Sequence, residues 1–305
     1  MSNEPIFYGG QAVIGGVLIN SPKGWSLAVR DDTDEIKRFF EERTPLVKRN
    51  PFLGAPLIRG IAALMDSLIV GYKGLDLSDQ IVYNQDNKQS VLNKIVNYLI
   101  VIFVLALFIA GPRVLIDLGE ASQSMKGLTE GLLRGLILFL YIYFLGKTEE
   151  AQELFQYHGA EHMTIAAFEE EEDLSINTIK KYPKEHMRCG TSFLFLIIFV
   201  SLLTLPFIPT LGITGTLITR ILHVLFVAMI SYEILKLNFR FEGSQFSKIF
   251  GIPGIWVQKF TTKEPSQDQI KVAQVAMANA IFFSGEKEPF LFDRILSKTV
   301  EVNNG

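Results

Sequence analysis

Long apolar stretches dominate the middle of the chain and predict helices that cross a membrane. No formal charge occurs between Lys94 and Arg113, an interval long enough to cross the hydrocarbon core of a bilayer. A second candidate runs from Leu128 to Gly146, where Arg134 has to reach an interface or face protein. These two stretches predict spans 1 and 2.

The uncharged stretch from Cys189 to Thr219 predicts the start of two further spans. Turn-forming residues interrupt it at Pro206, Pro209, Gly212 and Gly215. This cluster is too dense for one continuous helix. We therefore expect a third span, a short outer turn and a fourth span that continues through Arg220 to about Leu235.

The segment Leu57–Leu75 is apolar in long pieces but carries three charges at wide intervals, Arg59, Asp66 and Lys73. A membrane-spanning helix requires about 20 mostly apolar residues. The charges therefore favour a helix that lies in the membrane interface.

Shorter patterns flank the apolar region. The apolar runs Gln11–Ile19 and Trp25–Val29, separated by turn residues, predict a β-hairpin. Near the C-terminus, Ser266 followed by Gln269 is a capping-box pattern, which predicts the start of a helix that packs on the N-terminal module.

Composition agrees with a chain that is partly embedded in a membrane. Of the 305 residues, 49% are hydrophobic and only 20% are charged. The single cysteine excludes an internal disulfide. A net charge of −3 without a basic block argues against nucleic acid as a partner.

Basic residues predict the orientation of the spans. The loop between spans 2 and 3 carries Lys147, Lys180, Lys181 and Lys184, whereas the turn between spans 3 and 4 has no Lys or Arg before Arg220. The positive-inside rule places the former loop, and with it both termini, in the cytosol. We expect a multi-pass membrane protein.

The predicted fold class is a mainly α integral membrane protein with about four transmembrane helices, an interfacial helix and a small N-terminal β-hairpin-containing cytosolic module. Its predicted units are the cytosolic module 1–50, the interfacial helix and linker 51–94, spans 1 and 2 in 95–146, a cytosolic loop 147–190, spans 3 and 4 in 191–237, and a cytosolic C-terminal helical segment 238–305.

The segment FQYHGAEHMTI, Phe155–Ile165, carries the clearest candidate chemistry. On a helix, His158 and His162 project from one face, with Glu161 on the adjacent turn. Two imidazoles at this spacing can bind one metal ion, and H-x-x-E-H is the order of inverzincin metallopeptidases, whose carboxylate is the general base. Gly159 weakens the helix prediction by about 1 kcal/mol relative to alanine. The alternative is a polar interfacial helix whose histidines bind backbone or headgroups.

A third ligand has to come from another segment, because a metal site needs at least three protein ligands. The cytosolic ends of the predicted spans bring His186, Cys189 and Glu233 to the level of the two histidines. A carboxylate at a span end is a functional-site hypothesis by default, which favours Glu233, whereas Cys189 has the alternative of being a small buried residue. His223 is expected to be a packing histidine, and the acidic run Glu169–Asp173 a solvated segment.

Six blocks of the chain together resemble one known family. They are YGGQAVIGGV (Tyr8–Val17), LIRGIAALMDSL (Leu57–Leu68), FQYHGAEHMTI, RCGTSFL (Arg188–Leu194), SYEIL (Ser231–Leu235) and PGIWVQKFTTKEP (Pro253–Pro265). In order and over most of the chain, they resemble the YqhQ-like family, multi-span bacterial proteins of unassigned function that are sometimes labelled predicted metal-dependent enzymes. The family residues retained here include His158, Glu161, His162, His186, Cys189 and Glu233.

Three positions depart from the family pattern. Gly15 stands where the family usually has a glutamate, Met163 where it has a lysine, and Met187 where it has a proline. If the family is enzymatic, the missing carboxylate at Gly15 argues against activity in this member.

Three functions are compatible with these patterns. The first is a multi-pass metalloprotein of the bacterial cytoplasmic (inner) membrane that binds zinc or another divalent metal. In it Glu161 is either the catalytic base of a hydrolytic reaction or a hydrogen-bond partner of a metal ligand. The second is a non-catalytic scaffold or subunit of a larger membrane complex, and the third a transport path, although few ionisable groups lie near the middle of the spans. The expected partners are membrane lipid, further copies of the chain or other proteins of a membrane complex.

Overall fold

A computed structural model describes residues 8–83, 91–119, 122–170, 173–187, 189–209, 211–241, 243–285, 295–297 and 299–302. Parts of three predicted units, 1–7, 84–90 and 286–294, lie outside the described residues. The described chain is mainly helical, with a β-sheet near the N-terminus and four long apolar helices.

The N-terminal sheet is larger than the predicted hairpin. Its strands are β1 Gly9–Val13, β2 Gly16–Ser21, β3 Gly24–Arg30, β4 Ile36–Glu42 and β5 Val300–Glu301. The first four form an antiparallel meander, and β5 pairs with β4 in parallel. The predicted hairpin is confirmed as β2 and β3. However, the run Gln11–Ile19 contains two strands, because Gly15 adopts a φ of 64° and turns the chain between β1 and β2.

Ten α-helices occur in the described residues: α1 Leu46–Arg49, α2 Ile58–Tyr83, α3 Val91–Asp117, α4 Gln123–Leu145, α5 Glu149–Glu169, α6 Ile176–Ile179, α7 Gly190–Thr204, α8 Gly212–Arg240, α9 Gln245–Thr261 and α10 Gln267–Ser284. Four segments are long and apolar enough to cross a membrane: α3, α4, α7 with the following 3-10 turn, and α8. They coincide with the four predicted spans. However, α8 already begins at Gly212, so the turn before it is shorter than expected.

Helices cover both faces of the sheet. On β2, Val17 and Ile19 join one apolar cluster and Leu18 joins another, as alternation along a strand requires. The first cluster contains residues of α5 and α10, and the second contains Val70 of α2. Strands β2 and β3 are therefore largely apolar, because neither of their faces is left to water.

Helix α10 confirms the prediction made from its capping box. The Ser266 hydroxyl accepts from the Gln269 N–H, and the Gln269 side chain accepts from the Ser266 N–H. The helix packs against β2, β3 and α5 and is buried on almost every side. Its buried Asn279 donates to the Ser26 hydroxyl and to the carbonyl of Phe39, which ties the helix to the sheet.

Two amphipathic helices accompany the four apolar ones. Helix α2 contains the predicted interfacial segment, extends to Tyr83 and is not among the candidate spans. It exposes the apolar side chains Met65, Leu68, Ile69 and Tyr72. The sequence pattern did not distinguish α9 from the rest of the C-terminal segment. Helix α9 packs on α7 and α8 and exposes Ile249, Ile252 and Trp256.

Buried charges join three of the apolar helices. Glu130 on α4 is fully buried and accepts hydrogen bonds from Arg134 at 2.6 Å and from Arg220 of α8 at 2.9 Å. Arg113 of α3 approaches the same carboxylate at 3.6 Å. Arg134 therefore faces protein, which is one of the two positions predicted for it. A single carboxylate links α3, α4 and α8.

Replacing Glu130 by glutamine should destabilise the protein strongly. The change leaves the guanidinium groups of Arg134 and Arg220 buried beside a neutral amide, and breaking a buried ion pair costs about 3–5 kcal/mol. The thermal unfolding midpoint of the full chain in detergent measures the loss. Glu150→Gln, an exposed carboxylate on α5, is the control and should cost less than about 1 kcal/mol. Equal midpoints for the two variants would contradict a structural role for Glu130.

Candidate functional site

Helix α5 carries the H-x-x-E-H segment and is buried along this part of its length. The Thr148 hydroxyl caps its first turn, so the helical prediction is confirmed. Gly159 is required by packing, because a side chain there would collide with the backbone carbonyl of Lys263. At the same contact, the N–H of Lys263 donates to the carbonyl of Phe155 at 2.9 Å. The glycine that weakens the helix intrinsically thus permits the close packing of the segment.

The two histidines on α5 hold their rings in defined orientations. Nδ1 of His158 lies 2.8 Å from the carbonyl oxygen of Thr261, and Nδ1 of His162 lies 2.7 Å from that of Lys184. A carbonyl can only accept, so each Nδ1 carries the proton and each Nε2 presents its lone pair. The same arrangement orients histidines that ligate metals in proteins.

Cys189 completes a group of three possible ligands. It is the N-cap of α7, and its Sγ lies 3.2 Å from Nε2 of His158. One ligand atom each from His158, His162 and Cys189 lies within 4.8 Å of the other two. Tetrahedral zinc, with Zn–N of about 2.0 Å and Zn–S of about 2.3 Å, separates its ligand atoms by roughly 3.3–3.6 Å. The three side chains can therefore approach one ion without a change of backbone.

Glu161 lies against this group in a buried position. Its Oε2 is 3.6 Å from Nε2 of His162 and has no hydrogen-bond partner in the described structure. Burial raises the pKa of Glu161 to about 7, although a backbone N–H from Gly10 and the neighbouring histidines oppose the shift. Burial also lowers the pKa of His162. A carboxyl that titrates near neutrality can take up or release a proton at physiological pH.

Two other predicted ligands lie outside the group of three. Nε2 of His186 is 3.1 Å from Oε2 of Glu169. Glu169 is therefore not the solvated residue expected of the acidic run. Residues 171 and 172 of that run lie outside the described residues. Glu233 forms an ion pair with Arg59 and also accepts the Leu57 N–H at 2.9 Å. Because a counter-ion on α2 engages Glu233, it is a helix-to-helix contact rather than part of the group.

His223 also lies apart from the candidate ligands. It is buried on α8, and its Nε2 lies 2.7 Å from the hydroxyl of Thr204 on α7. This contact agrees with the packing role expected for it.

The candidate ligands line a cavity of about 630 Å³. Ligand-binding cavities commonly measure about 300–1,000 Å³. The wall combines β1, α2, α5 and the ends of α7 and α8 that are nearest the sheet. His186 and Glu161 also line it. The cavity therefore lies between the sheet-containing part of the chain and the apolar helices.

The first strand supplies a contact that the motif search missed. Gly10 lies so close to Glu161 that a Cβ built on it would be 2.5 Å from Oε1. Gly9, the preceding residue of the same strand, has open space around it.

The three departures from the family pattern are not part of the group of three ligands, although Met163 directly follows His162 in the sequence. Gly15 occupies the turn between β1 and β2 and contacts Val82 near the end of α2. Met163 is buried in the core between the sheet, α5 and α10, and Met187 packs on Gly251 of α9. None of the three positions contributes a side chain to the group.

Comparison with known proteins places the chain in a family. The model for a family described as "Protein of unknown function (DUF1385)" matches residues 55–282, about three quarters of the chain. The chain belongs to this family. It is also 32% identical over 287 residues to a Bacillus subtilis (strain 168) protein described as "Uncharacterized protein YqhQ", which covers 88% of this chain and 90% of that protein. The resemblance to YqhQ-like proteins is thus confirmed, and no solved structure matches the chain.

The close contact at Gly10 predicts that alanine substitutions at two neighbouring glycines differ in their effect on stability. Gly10→Ala should lower stability by about 1–3 kcal/mol, because the added methyl group has to displace the buried Glu161. Gly9→Ala makes the same chemical change on the same strand, where no atom lies within 4 Å of the new group, and should be close to neutral. Thermal unfolding of the two full-length variants in detergent compares them. A Gly10→Ala protein as stable as Gly9→Ala would show that β1 does not hold Glu161.

Proposed function

We propose that the chain is an integral membrane metalloprotein that binds zinc or a similar divalent ion through His158, His162 and Cys189. The observation that supports this most strongly is the convergence of the three ligand atoms within 4.8 Å, with both imidazole Nδ1 atoms bonded to carbonyl oxygens. A site with three protein ligands leaves a further position open, which is typical of catalytic zinc.

The reaction that we propose is hydrolytic, with Glu161 as the base. A divalent ion in the group of three would act as a Lewis acid towards water or a substrate oxygen. Glu161 would take the proton of the attacking water on Oε2, which has no hydrogen-bond partner among the described residues, and pass it to the leaving group. Gly10 would hold the other carboxylate oxygen in place through its N–H.

The proposed location is the cytoplasmic (inner) membrane, with both termini in the cytosol. Four helices have the length and hydropathy of membrane spans. Their number returns the chain to the side on which it starts, and the lysines between α4 and α7 favour the cytosol for that side. Lipid is then the partner of the exposed apolar faces of α3 and α4.

A scaffold or complex subunit is the second candidate, and one observation favours it. The two histidines bind the backbone at Thr261 and Lys184, so they connect α5 to two other segments without a metal. In that role further copies of the chain or other membrane proteins would be the partners. Nucleic acid is not proposed as a partner for either candidate.

Metal content separates the two candidates. The full chain is purified in detergent without chelator, and metal per chain is measured by mass spectrometry. We expect about one divalent ion per chain in the wild type and none in the variant that combines His158→Ala with His162→Ala, because two of its three ligands are gone.

His186→Ala is the matched control for the metal measurement. It removes a third imidazole from the same cavity but leaves the group of three intact, so metal content should stay at the wild-type value. A metal-free wild-type protein, or loss of metal from the His186 variant alone, would overturn the proposed ligand set and leave the scaffold candidate.

Cysteine labelling tests the proposed orientation. In a Cys189→Ser background, Lys181→Cys and Leu211→Cys place single exposed thiols on either side of α7. A membrane-impermeant maleimide added to intact cells should label position 211 and leave position 181 unlabelled until the cells are lysed. The opposite pattern would invert the topology and remove the candidate site from the cytosol.

A further inference from the structure

The wall of the cavity combines two kinds of side chain. The polar wall is formed by His158, Glu161, His162, His186 and Cys189. The apolar wall is formed by Ala63, Leu64, Phe193, Tyr232, Leu235 and Phe239. A purely polar substrate of small size would leave the second set in contact with water.

Helix α8 supplies one long side of the apolar wall. Tyr232, Leu235 and Phe239 recur at i, i+3 and i+7 and therefore share one face over about 10 Å of helix. They belong to the segment Thr214–Arg240, one of the four candidate membrane spans. This side of the apolar wall is thus formed by the last turns of a helix whose earlier turns are apolar enough to lie in the hydrocarbon of a bilayer.

Helix α2 packs on α8 and supplies a further part of the apolar wall. Arg59 pairs with Glu233, and Gly60 allows the backbone of α2 to approach Tyr232 closely. Ala63 and Leu64 follow within about one turn and reach the cavity. Because α2 is amphipathic and exposes apolar side chains, the helix suits the surface of a bilayer.

The two walls meet at the start of α7. Cys189 is the N-cap of this helix, and Phe193 follows four residues later, about 6 Å along the axis. A ligand that touches both has to change from polar to apolar over that distance. An ester-linked acyl chain has this character.

We propose that the cavity binds a membrane lipid, with its polar headgroup at the polar wall and an acyl chain along the face of α8. The proposal rests on the metal centre proposed above for the chemistry at the headgroup, and it names the substrate class of that centre.

A photoreactive lipid tests this inference. The full chain is reconstituted in vesicles of phosphatidylethanolamine and phosphatidylglycerol that contain phosphatidylglycerol with a diazirine in one acyl chain. After illumination, mass spectrometry of peptides maps the adducts. We expect adducts at Leu64, Phe193 and Phe239 as well as on the exposed segment 99–105 of α3, which serves as the internal standard.

Filling the cavity should remove only the cavity adducts. Leu235→Trp places a larger side chain on the apolar wall, and the adducts at Leu64 and Phe193 should fall about tenfold relative to α3, the effect of excluding two methylenes from a buried site. Leu237→Trp, on the same helix but exposed, is the matched control and should change nothing. Ala63→Phe fills the cavity from α2 if Leu235→Trp does not fold.

The possible results distinguish the lipid site from the metal centre. Absence of cavity adducts in the wild type, or equal adducts in Leu235→Trp and Leu237→Trp, overturns the lipid site. Metal per chain is measured on the same samples. Bound metal without cavity adducts contradicts the lipid site alone, and cavity adducts without bound metal support the lipid site while contradicting the metal centre.

Discussion

Helix α5 approaches two other backbones so closely that only glycine fits at each contact, and the candidate site depends on both. At Gly159 the helix accommodates the carbonyl of Lys263, and this contact keeps Thr261 within reach of Nδ1 of His158. At Gly10 the first strand accommodates Glu161. One contact orients a ligand and the other positions the carboxylate. Close packing rather than helix propensity therefore determines the geometry of the site.

Much of the architecture could be predicted from hydropathy, because a long apolar or amphipathic helix leaves a strong continuous or periodic pattern. The four apolar helices, the amphipathic helix α2 and the capped α10 follow from such patterns. The number of strands did not, since a tight turn at Gly15 lies inside an apolar run. A sheet covered on both faces hides its turns, because the residues on either side of a turn are equally apolar.

The candidate site was predictable in part for a related reason. The spacing of His158 and His162 defines a face as soon as the helix is known, and Cys189 is a candidate because a long apolar helix begins there. The role of Glu233 could not be predicted in this way. A carboxylate near the end of a span can bind a metal or a neighbouring cation, and the choice depends on Arg59, which is 174 residues away in sequence. Pairing over that separation leaves no local pattern in the chain.

The place of Gly15 in the fold determines what its departure from the family pattern means for the candidate site. Gly15 lies in the turn after β1, where it contacts Val82 near the end of α2. Residues 9–12 of β1 line the cavity, whereas Gly15 is not among the lining residues. The carboxylate that β1 contacts is Glu161, which packs against Gly10, five residues before Gly15. Chemistry at the group of three would therefore depend on Glu161, which this chain retains.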